Sequence, residues 1–198
     1  IAGMKSLGIS PSNGKEIFLK PNGEVTDVWS AEDWVVIGDT APKGQGSFGV
    51  TTTYKGWSLF TSFLYHFGGD AYNSTLVNYV ENVNLSNENV DRRVLMDRWQ
   101  KPGDITDIPR HGVYTEFDSR LLEDASFLRL KNLMLSYNLP SELLRKTRAI
   151  RGLRVYGQAQ NLLTFTNFSG LDPEGTNNLY AAQYPMSRQF TFGLDLMF

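Results

Sequence analysis

QFTFGLDLMF, residues 189–198, decides how the rest of the chain is read. Phe190, Phe192, Leu194, Leu196 and Phe198 alternate with Gln189, Thr191, Gly193, Asp195 and Met197, so every second side chain is large and apolar. A period of two puts those five on one side of a β-strand, because successive Cβ atoms point to opposite faces. In a soluble sheet that side packs on a core. In a membrane barrel it meets lipid.

Four upstream segments repeat the pattern. Phe48, Val50, Thr52 and Tyr54 alternate with Ser47, Gly49, Thr51 and Thr53. Trp57, Leu59, Thr61, Phe63, Tyr65 and Phe67 alternate with Ser58, Phe60, Ser62, Leu64 and His66. Only Lys55-Gly56 separates the two, which is a tight hairpin with Gly where positive φ is needed. Further on, Leu133, Leu135, Tyr137 and Leu139 alternate with Asn132, Met134, Ser136 and Asn138, and Leu153, Val155, Gly157, Ala159 and Leu163 with Arg154, Tyr156, Gln158 and Gln160. Asn161 interrupts the last apolar face and marks a bulge or a strand end. The spacing predicts strands over 46–54, 57–67, 127–139, 153–163 and 188–198.

The connections between these strands alternate in length: 55–56 is short, 68–126 long, 140–152 short and 164–187 long. Compact domains join their elements with roughly 4–6 residues, whereas short turns at one end and long loops at the other are the arrangement of outer-membrane barrels. Tyr54, Trp57, Tyr137 and Phe198 all fall at the short-turn ends, where rings form a girdle at a bilayer interface. Five strands leave two open edges, which hydrocarbon does not tolerate, so the pattern predicts an all-β fold whose antiparallel strands belong to a larger barrel. Residues 1–45 are mainly loop with a small hairpin, Ile17–Leu19 and Val25–Trp29 about Pro21-Asn22-Gly23-Glu24. Ser141 reads as the N-cap of a single helical turn over 142–146.

Composition narrows the function classes. The 198 residues carry a formal charge of −2, without the basic excess that neutralises phosphate backbones, so no nucleic acid partner is expected. With no cysteine, and with His66 and His111 far apart as the only histidines, neither a metal centre nor a cofactor site is predicted. No nucleophile has a tuned acid–base partner, and no enzyme is predicted. No run reaches the ~20 apolar residues of a membrane helix, and the mean hydropathy is −0.30. A barrel strand escapes that test because half of it is polar. The chain opens at Ile1 without the basic and apolar regions of a signal peptide and is read as a piece of something longer.

In order along the chain stand IGDTAP (37–42), YKGWSLFTSFLYHFGGDAYNSTL (54–76), NVDRRVLMDRWQKPGDITDIPR (89–110), SFLRLKNLMLSYNLP (126–140), LRVYGQAQNLLTFTNFSGLDPE (153–174) and YPMSRQFTFGLDLMF (184–198). Together they resemble the C-terminal end of the SusC/RagA-type TonB-linked transporters of Gram-negative outer membranes. The resemblance implies a barrel of about 22 strands in the full protein, of which these are the last. It implies periplasmic turns at 55–56 and 140–152, and extracellular loops at 1–45, 68–126 and 164–187. It further implies import of oligosaccharide or peptide with a SusD-like surface lipoprotein, and contact with TonB through an N-terminal part that has no counterpart here. A TonB-dependent siderophore or cobalamin receptor is the first alternative; a soluble β-sandwich binding module is the second.

On that frame Arg154, Tyr156, Gln158, Gln160 and Asn132 are candidates for the lumen wall and cargo contact, beside Ser136 and Asn138. In the outer loops Arg98, Trp99, Tyr114, Tyr180 and Tyr184 are candidates for contact with partner or sugar rings. Val94, Leu95 and Trp99 are expected on one face of a short helix. Phe190, Phe192, Leu194, Leu196 and Phe198 form the expected signal for the barrel-assembly machinery, and their face is expected to meet outer-membrane lipid. Arg145, Lys146, Arg148 and Arg151 sit in a short turn, where they meet lipid phosphates or water. Asp172-Pro173-Glu174-Gly175 reads as a turn and lacks calcium-loop spacing.

Overall fold

The computed structural model describes residues 1–87, 89–145, 149–174 and 186–198. In chain order its strands are β1 (Ala2–Gly3), β2 (Lys5–Ile9), β3 (Glu16–Leu19), β4 (Val25–Thr26), β5 (Val35–Val36), β6 (Gly44–Tyr54), β7 (Trp57–Phe67), β8 (Asp70–Tyr72), β9 (Leu122–Asp124), β10 (Phe127–Asn138), β11 (Gly152–Thr166) and β12 (Gln189–Met197). Among the described residues there are also short helices α1 (Ser74–Leu76), α2 (Arg93–Met96) and α3 (Ser141–Leu144), a 3-10 turn at Ala31–Asp33 and a π-helical stretch at Val77–Glu81. The chain divides into two compact units.

One unit holds Lys43–Phe67, Ser126–Asn167 and the C-terminal strand. It is one antiparallel sheet in the order β12-β11-β10-β7-β6. The strands run 9 to 15 residues, enough to cross a bilayer, which takes ~9–11. Between β6 and β7 both turn residues take positive φ, Lys55 at 46° and Gly56 at 85°, the two-residue geometry whose twist matches the strands it joins. A side chain on Gly56 would also stand 3.0 Å from the Asn138 carbonyl oxygen.

The pairing of β10 with both β7 and β11 shifts between Leu130 and Asn132, and Asn161 stands at φ 52° beside the shift. This is the bulge that Asn161 signalled. β11 runs on to Thr166, past the expected end at 163, and the alternation of β10 inverts upstream of Asn132 because Lys131 is an extra residue against β7. Ser141 turns out to be the first residue of α3, with Pro140 at the cap position and no side-chain cap bond.

The second unit holds Ile1–Pro42, Gly68–Ala125 and the segment starting at Phe168. The expected hairpin in 1–45 is part of a three-stranded sheet, β2-β3-β4, with β4 confined to Val25–Thr26. Pairs β1-β5 and β8-β9 complete its strands. Val80, Val83, Val94 and Ile108 form an apolar cluster. Beside it, Arg120 is buried between two carboxylates, Glu16 at 2.9 Å and Glu81 at 2.6 Å. Ser6 Oγ donates to Glu16 and Thr115 Oγ1 to Glu81, each at 2.5 Å.

Candidate functional site: the two faces of the five-stranded sheet

Residues paired across a sheet share a face, so the register sorts every side chain. One face carries the rows Thr53–Ser58–Ser136–Tyr156–Gly193, Thr51–Phe60–Met134–Gln158–Thr191 and Gly49–Ser62–Asn132–Gln160–Gln189. The other carries Tyr54–Trp57–Tyr137–Val155–Leu194, Thr52–Leu59–Leu135–Gly157–Phe192, Val50–Thr61–Leu133–Ala159–Phe190 and Phe48–Phe63–Leu130–Leu163. The first is mostly hydroxyl and amide. The second is mostly hydrocarbon and aromatic.

Most large side chains of the apolar rows are uncovered: Phe190, Phe192 and Leu194 are 63%, 83% and 64% exposed, while Leu130 and Ala159 are buried. Val50, Leu135 and Phe48 on the inner strands and the far edge are exposed as well. A water-soluble sandwich would have a second layer there, and this sheet has none among the described residues; a continuous apolar patch of this extent marks a membrane or protein contact. At one end of the same face Trp57 and Tyr137 pack with ring centroids 4.7 Å apart, next to Tyr54. Three of the four rings expected at the short-turn ends, Tyr54, Trp57 and Tyr137, thus share one row.

The polar face gathers the lumen candidates. Gln158 Nε2 lies 3.5 Å from Asn132 Oδ1, at the outer limit of a hydrogen bond. Arg154 stands 3.8 Å from Asp195 and 5.7 Å from the Tyr156 ring, while the Tyr156 ring lies over Gly193, where no side chain competes for the space. Ser136 is buried, and its hydroxyl has no partner among the described residues. Arg129 was missed. Its Nε donates to Thr164 Oγ1 at 2.9 Å, its guanidinium lies 5.3 Å from the Phe127 ring, and its pairing with Leu64 puts it on the face of Ser62 and His66. Counting back from Asn132 by twos points to Leu130 and Leu128 instead; the bulge inverts that parity.

The loop candidates fare unevenly. Arg98 is a correction: it is 6% exposed, and one guanidinium nitrogen donates to the carbonyls of Val80 at 2.5 Å and Glu81 at 3.0 Å. It closes the π-helical stretch from inside and is unavailable to a partner. Trp99 is half-buried, its indole donating to the Pro11 carbonyl at 3.1 Å and its ring lying over Gly14. The expected Val94, Leu95 and Trp99 stripe does not form, because α2 ends at Met96, Val94 points inward and Leu95 outward. Tyr114 is exposed. Tyr180 and Tyr184 lie outside the described residues, as do Lys146, Arg148 and Gly175. Asp172 Oδ1 accepts from Glu174 N at 2.9 Å, which makes a turn.

The titrating groups of interest lie in the second unit. Asp118 is fully buried, and burial, reinforced by the neighbouring Glu16 carboxylate, pushes its carboxyl up to about 7. Its Oδ1 accepts from Arg120 N at 2.5 Å, and Oδ2 has no partner among the described residues. The Arg120 guanidinium pairs with Glu16 and Glu81, and Asp118 receives only its backbone N–H, so burial favours a proton on Asp118. Among the described residues no group of three or more His, Asp and Glu is placed to hold a metal ion.

No family model matches the chain. The TonB-dependent receptor P3 of Formosa agariphila is 34% identical over 99% of this chain and 20% of its own length. The TonB-dependent receptor SusC of Bacteroides thetaiotaomicron is 38% identical over 39% of the chain and 8% of its length. Among solved structures, the RagAB peptide importer in its closed-closed state superposes with a TM-score of 0.86 at 35% identity, over 99% of this chain and 22% of that one. The chain belongs to the SusC/RagA-type TonB-dependent receptors. It spans about a fifth of the length of the P3 receptor it matches. As in other SusC/RagA-type receptors, its strands are those of an outer-membrane β-barrel. Those relatives are receptors and transporters, so the family assigns no enzyme activity to it.

Proposed function

We propose that this segment forms wall and outer loops of a SusC/RagA-type importer that carries oligosaccharide or peptide across the outer membrane. The observation that carries the reading is the opposition of faces: an uncovered hydrocarbon face on one side, a hydroxyl and amide face on the other. The apolar rows lie against lipid, and Arg154, Tyr156, Gln158, Gln160, Asn132 and Arg129 line the interior. There they meet cargo or brace the domain that plugs the lumen, using fixed donors and acceptors. Energy comes from TonB through sequence outside this segment, and a SusD-like lipoprotein seats on the outer loops, with Trp99 and Tyr114 at or near that surface. The RagAB importer carries peptide, which favours peptide over glycan as cargo.

The full-length receptor tests this in intact cells. Uptake of labelled oligopeptides and oligosaccharides is measured in wild type, in a strain lacking the receptor, and after loss of TonB. Energy-dependent uptake of one cargo class that both deletions abolish is expected, together with co-purification of a surface lipoprotein. Wild-type uptake of both classes in the receptor deletion, with loss of iron-chelate uptake instead, overturns the reading in favour of a siderophore receptor.

A further inference from the structure

At one end of the five-stranded sheet the backbone forms a continuous rim. Asn138 N donates to the Gly56 carbonyl at 2.9 Å, Leu139 N to Leu153 at 2.9 Å, and Arg151 N to Met197 at 2.7 Å. The Lys55-Gly56 turn, the two ends of the 139–151 connection and the end of β12 therefore stand side by side. Exposed Lys55, Arg145 and Arg151 lie along this rim, and none has a carboxylate partner among the described residues. In sequence, the stretch 139–151 holds Glu142 as its one acidic residue.

Moving outward along the apolar face, Leu, Val and Phe give way to Tyr54, Trp57 and Tyr137, and those to the cations. Lys55 Nζ stands 5.2 Å from the Tyr54 ring centroid. Leu143, on α3 and two residues from Arg145, is 64% exposed. Hydrocarbon, then amphipathic rings, then exposed positive charge is the polarity profile of a bilayer leaflet read from acyl chains to phosphates.

We propose that this rim binds the headgroups of anionic phospholipids: Lys55, Arg145 and Arg151 engage phosphate, and Leu143 seats among acyl chains. The proposal rests on the sheet spanning the membrane. An acidic periplasmic protein would use the charges but has no use for Leu143 and the ring girdle beside them.

The test uses the full-length receptor in nanodiscs of phosphatidylethanolamine and phosphatidylglycerol, with retained lipids counted by native mass spectrometry. Wild type is expected to retain phosphatidylglycerol well above its bulk fraction, less so at high salt. Each of Lys55→Asn, Arg145→Gln and Arg151→Gln lowers that enrichment about fivefold. Asn at 55 keeps the turn, because it accepts positive φ. Retention at the bulk ratio by wild type, or unchanged enrichment in all three folded variants, overturns the proposal while leaving the membrane-spanning reading intact. A receptor that enters no bilayer sinks both. Unchanged lipid retention with loss of a co-purifying acidic protein in the variants assigns the rim to that protein instead.

Discussion

In the five-stranded sheet Phe192 is 83% exposed, while in the other unit Asp118 is fully buried. Each would be an error in the other's place. The sheet turns its largest apolar side chains outward and keeps amides and hydroxyls on the opposite face; the second unit sinks Arg98, Asp118, Glu16 and Glu81 inside and leaves Tyr114 and Ile105 outside. Buried charge is stable only when paired and hydrogen-bonded, and Glu16 and Glu81 meet that condition by sharing the Arg120 guanidinium. Exposed hydrocarbon is stable only when the surroundings are themselves hydrocarbon. The two units are therefore built for different solvents, within one chain.

The sharpest way to break the comparison is to remove the charge on which the second unit depends. Arg120→Met leaves Glu16 and Glu81 buried without a counter-charge, and loss of one partner from a buried pair costs about 3–5 kcal/mol. Hydrogen exchange on the full-length receptor is expected to show lost protection at β3 and Val77–Glu81, with the five-stranded sheet unchanged. Equal loss in the sheet would mean that the two units do not fold as separate bodies.

Next in size is a charge on the apolar face. Leu133 sits in the middle row of the sheet, and Leu133→Arg in the bilayer is expected to cost about 2–4 kcal/mol. Gln158→Arg, on the opposite face of the neighbouring strand, is expected to cost under about 0.5 kcal/mol. Refolding of the full-length protein into lipid vesicles measures both. Similar costs for the two would remove the distinction between the faces.

How much of this was visible beforehand differs between the units for a physical reason. A strand with one face in lipid must alternate without interruption, so Phe190 to Phe198 and Trp57 to Phe67 declare themselves by local pattern alone. Asn161, which breaks the pattern, also declared its bulge. What it did not declare was the consequence for another strand: Arg129 joins the polar face only because β10 shifts register at Leu130 and Asn132. The second unit reads mainly as loop in the sequence because its strands are as short as two residues and its binding contacts are distant in sequence. Arg120 reaches Glu16 across 104 positions, and Arg98 reaches the Val80 carbonyl across 18. A charged residue in a loop carries no local mark that it is buried.

Asp118 offers a gentler probe through pH. Its carboxyl is raised in the folded state, to about 7 from an unfolded value of about 3.9, so the folded form holds the extra proton between those limits. Its contribution to stability is complete below pH ~4 and is lost as pH rises to ~7, with a slope of at most about 1.4 kcal/mol per pH unit. Asp118→Asn is expected to flatten that part of the profile, measured by hydrogen exchange at β3 between pH 5 and 8 with intrinsic rates divided out. An unchanged slope in the variant would place the proton elsewhere in the cluster.

The smallest effect belongs to the hairpin tip. Gly56→Ala introduces a Cβ at φ 85°, a conformation that costs an L-residue about 1–2 kcal/mol, and points it at the Asn138 carbonyl. Local strain of that kind should raise exchange at Tyr54, Trp57 and Asn138 and leave the middle of β7 protected, because nine further pairs hold β6 to β7 beyond the turn-closing Tyr54–Trp57 and Thr53–Ser58 pairs. If β6 instead opens along its whole length, its stability depends on closure by the turn, and the edge needs a neighbouring strand more than its pairing with β7 suggests.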